Sequence, residues 1–210
     1  MKKLFPYFIF TLPLILGAVD VSNLRKVTSD NNPSCVEYYD YQGSIYCSTK
    51  ALSTEHIDPK IINNETQTIV FDGRPWQAVW GQKEDTHTTI EYVPMGDNIN
   101  NWHELITSQF FPGLQNKISP EQFAAIQIKN LQDSGFNPII NVIENNQSTY
   151  IFEFRILSPA NQIQDEIQKI TATQNGIYIL HYAIKTGDMG EKNRNLWINN
   201  FSKSTIKNTD

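Results

Sequence analysis

Residues 175–184 read Asn-Gly-Ile-Tyr-Ile-Leu-His-Tyr-Ala-Ile, and this stretch decides the fold class. Asn-Gly is a preferred centre of two-residue hairpin turns, so the sequence predicts a turn at Asn175–Gly176 between two antiparallel strands. The strand after the turn, 177–184, is apolar on both of its faces, which is typical of a central strand covered on both sides. The segment before the turn, 163–173, carries isoleucines at helical spacing, but the turn signal favours a strand there too.

Further strands are predicted where β-forming or alternating residues are bounded by turn residues. They cover 68–71, 76–80, 86–93, 139–143 and 149–156. The dipeptide Asp72–Gly73 is expected to join the first two of these strands as a hairpin. Trp76 and Trp80 are expected on one face of the second strand, because alternate residues of a strand share a face.

Three helices are predicted from apolar residues at helical spacing. The first covers 98–110. The second begins at the N-cap Ser119, with Gln122 completing a capping box, and ends at Gly135. The third runs from Asp188 toward the C-terminus.

The resulting order, β-β-β-α-α-β-β-β-β-α, predicts the α+β class. In such a domain helices pack against an antiparallel β-sheet in a sandwich-like arrangement. The predicted core domain covers 67–206, and a disulfide-stapled hairpin extension precedes it at 19–66.

This order resembles the PsbP-like sandwich, the fold shared by the photosystem extrinsic protein and the Ran-binding Mog protein. The resemblance is carried by a helix ending at Asp133-Ser134-Gly135, the hairpins at 139–156 and Asn175–Gly176, and a closing helix with Trp197 and Phe201. It implies an α/β/α sandwich that binds other proteins or assists assembly. It implies no catalytic residues.

The N-terminus predicts export. Lys2-Lys3 precedes an uncharged apolar stretch, 4–16, and the small residues Gly17-Ala18 follow it, so 1–18 is predicted to be a cleaved signal peptide. The alternative is an uncleaved anchor, although a membrane-spanning helix needs about 20 apolar residues. The mature protein is expected in the periplasm or the medium, with no membrane span.

The chain has two cysteines, Cys35 and Cys47, which are predicted to form a disulfide in an oxidising compartment. The segment between them is rich in β-formers and predicts a hairpin. The tyrosines that crowd it are Tyr38, Tyr39, Tyr41 and Tyr46. They are candidate binding residues, because rigid aromatic surfaces are favoured in recognition. The alternative is that these rings pack the extension onto the core.

Composition narrows the possible partners. The chain of 210 residues is 40% hydrophobic, which is enough to build a core. Its net charge of −5 argues against a general nucleic-acid binder, which needs a basic face. The four histidines are scattered along the sequence, so we expect neither a structural nor a catalytic metal site, and no cofactor motif is present.

Three residues on two predicted strands form a candidate catalytic site. His87 and Glu91 are expected on one face of a strand, and His181 lies on the central strand. A histidine close to a carboxylate is suited to general acid–base catalysis. The alternatives are cross-strand ion pairs and a core histidine with satisfied nitrogens.

The sequence therefore predicts an exported module that binds a protein partner. The alternative is a secreted hydrolase that uses His87, Glu91 and His181.

Overall fold

A seven-stranded antiparallel sheet forms the centre of the computed structural model. The structure describes residues 24–28, 35, 37–41, 44–48 and 62–207, but not the side chains of 37–41 and 48. The strands are β1 Arg25–Val27, β2 Glu37–Tyr41, β3 Ser44–Ser48, β4 Gln67–Thr68, β5 Trp76–Lys83, β6 Thr88–Pro94, β7 Glu104–Pro112, β8 Ile139–Asn145, β9 Thr149–Ile156, β10 Gln164–Ala172, β11 Gly176–Ile184 and β12 Thr205–Ile206. Among the residues described, the helices with both ends on view are α1 Pro120–Asp133 and α2 Glu191–Lys203, with short 3-10 turns at Leu114–Asn116 and Ala160–Gln162.

Strand β11 occupies the middle of the large sheet, whose order is β5-β6-β7-β11-β10-β9-β8. Every residue of β11 except the last, Ile184, is buried. The sequence-based prediction of a central strand covered on both faces is therefore confirmed. The predicted strand before it is also confirmed as β10.

Helices α1 and α2 pack on opposite faces of this sheet, which we call the α1 face and the α2 face. On β11, Ile177 and Ile179 point to the α1 face, whereas Leu180 and Tyr182 point to the α2 face. The α1 face is filled by Phe111, Ala124, Tyr150, Phe152, Phe154, Ile156 and Ile170 in addition. The α2 face is filled by Ile106, Ile151, Ile167, Met189, Trp197 and Phe201 in addition. The predicted α+β class, an antiparallel sheet packed by helices, is confirmed.

Helix α1 begins and ends as its sequence predicts. The Ser119 hydroxyl accepts a hydrogen bond from the Gln122 amide at 3.2 Å, and the Gln122 side chain accepts one from the Ser119 amide at 2.9 Å. This reciprocal capping box satisfies two amides at the open end of the helix. Gly135, at φ +90°, ends the helix, and the Phe136 amide donates back to the Leu131 carbonyl at 3.1 Å.

Helix α2 is held to the sheet by aromatic stacking and by a half-buried lysine. Trp197 is fully buried and stacks on Tyr182 with ring centroids 4.2 Å apart. The Lys169 ammonium donates to the carbonyls of Phe201 at 2.7 Å and Ser204 at 3.1 Å. A cation at the C-terminal end of a helix satisfies carbonyls that have no partner within the helix.

The predicted helix over 98–110 is wrong, because strand β7 covers most of it. The Asn98 side chain accepts hydrogen bonds from the amides of Asn100 at 2.9 Å and Asn101 at 3.1 Å, which fixes a local turn in place of a helix start. The following residues pair with β6 on one side and β11 on the other. This double pairing overrides the helical spacing of the apolar residues.

The predicted hairpin at Asp72–Gly73 is also wrong. Strand β4 pairs with β12 near the C-terminus and not with β5. Asp72 instead accepts hydrogen bonds from the Arg74 amide and the Trp76 indole, both at 3.0 Å. A register shift between Ala78 and Trp80 follows in β5. Because a shift of one residue reverses the faces, Trp76 and Trp80 project to opposite faces of the sheet.

A separate three-stranded sheet, ordered β1-β3-β2, lies near the N-terminus. Cys35 and Cys47 form a disulfide with an S–S distance of 2.05 Å, as predicted. We call this unit the stapled sheet. The predicted signal peptide, 1–18, lies outside the described residues, and the predicted boundaries at 18 and 66 stay predictions. Within the part of the chain that the structure describes, no helix is long and apolar enough to cross a membrane.

The hairpin between β10 and β11 is present, but its turn is centred one residue earlier than predicted. The Thr173 amide donates to the Gly176 carbonyl at 3.0 Å, so Gln174 and Asn175 form the turn and Gly176 begins β11. Gly176 is required by close packing: a Cβ atom there would lie 2.5 Å from the Phe111 carbonyl oxygen and 2.5 Å from the Phe110 ring.

We expect Gly176→Ala to lower the free energy of unfolding by about 1–3 kcal/mol, because the added Cβ atom would meet a backbone oxygen of the paired strand β7. Gly73→Ala is the matched control, because nothing lies within 4 Å of a Cβ atom at that position. Chemical denaturation of both variants checks the prediction. Equal stabilities of the two variants would contradict the packing argument.

Candidate functional site

A row of polar side chains crosses the sheet on the α1 face. Glu91 of β6 is opposite Thr107 of β7, Thr107 is opposite His181 of β11, and His181 is opposite Gln168 of β10. We call these four residues the polar row. Gln168 is in turn opposite Phe152, which packs in the α1 cluster, so the row and that cluster share a face.

His181 is buried, at 6% exposure, and both of its ring nitrogens have partners. Nδ1 lies 2.7 Å from Oε1 of Glu166, and Nε2 lies 3.1 Å from Oε1 of Gln109. Glu166 also accepts hydrogen bonds from Gln168 at 2.7 Å and Gln164 at 2.6 Å. These contacts give His181 the geometry of a core histidine with satisfied nitrogens, one of the alternatives that the sequence left open.

Glu91 is the carboxylic acid of the polar row, and its ionisation is perturbed. Burial disfavours its charged form and raises the pKa of its carboxyl from an ordinary 4.5 to about 7. The side chain is only partly buried, so protons from solvent reach it. A carboxyl that titrates near neutral pH is suited to general acid–base chemistry, but structural carboxyls show such shifts as well.

His87 is not close to Glu91 or His181, the other two candidate catalytic residues. It precedes β6, and its ring stacks on Phe111 with centroids 5.2 Å apart. Glu91 lies four positions further along the chain, which is about 13 Å along a strand. His87 instead lines an open cleft of about 710 Å³, together with Lys83 and Lys207. The fold therefore brings Glu91 and His181 into one row, two strands apart, and leaves His87 outside it.

A second charged cluster lies on the α2 face and was not predicted as a unit. Asp165 is fully buried and Glu153 nearly so, and Arg194 of α2 reaches both carboxylates. The Arg194 guanidinium donates to Glu153 at 2.7 Å and to Asp188 at 2.8 Å, while the Met189 amide donates to Asp165 at 2.7 Å. Burial and the neighbouring Glu153 raise the pKa of Asp165. The cluster fastens the first turn of α2 to the sheet.

A sequence signal for this cluster exists. Glu153 stands between Phe152 and Phe154 in β9, and a buried acidic residue needs a cationic partner. The partner, Arg194, comes from a helix that starts after two further strands. Only the tertiary fold shows that this arginine lies above the two acids.

The stapled sheet holds the predicted tyrosines. The side chains of Tyr38, Tyr39 and Tyr41 lie outside the described residues, but the backbone register sets Tyr39 opposite Tyr46. The Tyr46 ring is partly exposed, and the Lys26 ammonium lies 6.0 Å from its centroid. That distance is at the outer limit of a cation–π contact.

The described part of the chain contains no group of three or more His, Cys, Asp and Glu side chains that could hold a metal ion. The expectation that the protein uses neither metal nor cofactor stays a prediction.

One protein-family model matches residues 64–209, more than half of the chain, so the protein belongs to that family. The family description gives no activity, substrate or partner. The match covers the seven-stranded sheet and both helices, and it starts after the stapled sheet. No curated protein and no solved structure matches the chain.

We expect protein stability to fall as the pH rises from about 4.5 to about 7, because the folded state holds the Glu91 proton more tightly than the unfolded state does. Glu91→Gln should remove roughly 3 kcal/mol of this change at most, since solvent screening reduces the effect at a partly exposed side chain. Some slope should persist, because the raised pKa of Asp165 acts in the same direction.

Denaturant unfolding at a series of pH values between 4 and 8 measures this slope. Glu191→Gln is the control, because Glu191 is exposed at the start of α2. An unchanged slope in Glu91→Gln would show that Glu91 ionises normally.

Proposed function

We propose that this protein is an exported module that binds a protein partner through the stapled sheet. The observation that carries the proposal is the covalent closure of the β2–β3 hairpin by Cys35 and Cys47, with β1 added as a third strand. A segment that is already ordered loses little conformational entropy on binding, so more of its contact energy remains as affinity. The tyrosines of this hairpin supply contact area of the kind that dominates interfaces.

Export is part of the proposal. The disulfide supports it, because disulfides persist in oxidising compartments such as the periplasm and the extracellular medium. The N-terminal sequence 1–18 has the features of a signal peptide. The proposed location is therefore the periplasm or the medium.

The sheet and helix arrangement is compatible with the resemblance to the PsbP-like and Mog-type sandwich, in which protein binding is the common activity. That resemblance concerns the core region and stays a proposal. It supports a binding function more than a catalytic one.

A secreted hydrolase is the second candidate, and the polar row favours it. Glu91 has a pKa near neutral and shares a row with Thr107 and His181. Against it, both nitrogens of His181 are engaged by Glu166 and Gln109, so neither is available as a base without rearrangement. We therefore rank the binding function first.

We expect replacement of Tyr39 and Tyr41 by Ala to weaken partner binding by about 1–3 kcal/mol in total, as truncation of interface aromatics does. The mature protein, 19–210, is used to capture partners from the exported fraction of its source cells. Mass spectrometry identifies the partner, and calorimetry with the purified partner measures the affinity.

Glu91→Gln and His87→Ala are the controls and should leave that affinity unchanged. The hydrolase hypothesis expects the opposite pattern: Glu91→Gln would abolish turnover of a panel of ester and peptide substrates, and the tyrosine variant would retain it. Unfolding of the tyrosine variant, seen by circular dichroism, would show that these rings belong to the core and would contradict the binding proposal.

A further inference from the structure

The two edges of the seven-stranded sheet differ in how well they are covered. Strand β5 forms one edge, and its first six residues are all partly buried. Strand β8 forms the other edge, and five of its seven residues are exposed. β8 is therefore the accessible edge of the sheet.

The backbone of β8 is paired on one side only. It forms a ladder with β9, and none of the hydrogen bonds among the described residues satisfies a backbone group on its outer side. Outward amide and carbonyl groups of an edge strand form a template for another strand. The chemistry that this edge recognises best is an extended polypeptide backbone.

The devices that usually protect an edge are missing from the first part of β8. The segment Ile139–Val142 contains no lysine, proline or acidic residue, and the register shift of the strand comes only after Val142. Ile139 is 44% exposed and Val142 is 51% exposed. Ile139 is opposite Arg155 and Val142 is opposite Phe152, so the two exposed side chains project to opposite faces of the sheet.

Charge at the far end of β8 distinguishes between possible occupants. Glu144 lies on β8, and Glu121 of α1 accepts a hydrogen bond from Asn145 at 3.3 Å, so two carboxylates flank this end. Lys169 is attracted to Glu144, but its ammonium donates to carbonyls at the end of α2. A second copy of β8 contains no lysine or arginine and cannot neutralise these acids. A strand from a different polypeptide with a cationic residue at this position can.

We infer that β8 accepts an extended segment of another polypeptide as an eighth strand of the sheet. The segment is apolar where it meets Ile139 and Val142 and carries a lysine or arginine near Glu144. This inference rests on the proposed protein-binding function and gives it a second surface, separate from the stapled sheet.

The probe is a fluorescein-labelled peptide, Thr-Val-Ile-Val-Thr-Lys-Lys, titrated with the mature protein and followed by fluorescence anisotropy. We expect saturable binding, and we expect Val142→Lys to weaken it about tenfold or more, because an edge lysine opposes strand addition. Val142→Thr keeps the β-branched shape and should bind within about twofold of the unmodified protein. A peptide methylated on alternate backbone nitrogens should lose binding, because it lacks the donors for the new ladder.

A charge exchange tests the predicted cation. Glu144→Lys should weaken binding of the lysine peptide, and a peptide with both lysines replaced by glutamate should recover affinity for that variant. Binding that survives backbone methylation or Val142→Lys would overturn the inference, as would a lack of saturation at millimolar protein. A dimer in sedimentation that Val142→Lys abolishes would also overturn it, because the occupant would then be a second copy.

These experiments distinguish failure of the β8 inference from failure of the proposed function. If the partner captured through Tyr39 and Tyr41 binds Val142→Lys normally and the peptide does not bind, the stapled-sheet proposal stands and the β8 inference falls. If the peptide binds as expected and the tyrosine variant captures its partner normally, the β8 inference stands and the stapled-sheet proposal falls.

Discussion

Burial of β11 on both of its faces is the constraint on which the rest of the structure depends. A strand with apolar side chains on both faces needs a paired strand on each side and a covering layer above and below. β7 and β10 supply the pairing, α2 covers one face, and α1 packs with the apolar side chains of the other. Since both helices take their positions from this sheet, loss of β11 would remove the support for both hydrophobic clusters.

The buried polar groups are a consequence of the same arrangement. His181 and Glu166 are placed on strands that lie within the sheet, so each must find its partners inside the protein. Asp165 and Glu153 meet the same requirement through Arg194 of α2. Glu91 lies farther toward the β5 edge and keeps some exposure, so its carboxyl does not need all of its partners inside the protein.

Sequence reasoning was most successful where local chemistry and tertiary structure agree. The capping box at Ser119 and the apolar run of β11 predicted their elements, because nothing in the fold competes with them. The helix prediction for 98–110 failed because the spacing of its apolar residues fits a helix equally well. Only pairing with β6 and β11 makes this segment a strand. The sequence supplied Glu91 and His181 as site candidates but could not show their shared row, which depends on the register of three strands.

Native-state hydrogen exchange, measured residue by residue with increasing denaturant, tests the central role of β11 most directly. The account predicts that the amides of 177–184 exchange only through global unfolding, so their opening free energy equals the stability of the whole protein. Amides of the edge strands β5 and β8 should exchange through smaller openings at lower free energy. Exchange of the β11 amides at the level of the edge strands, while α1 and α2 stay protected, would contradict it.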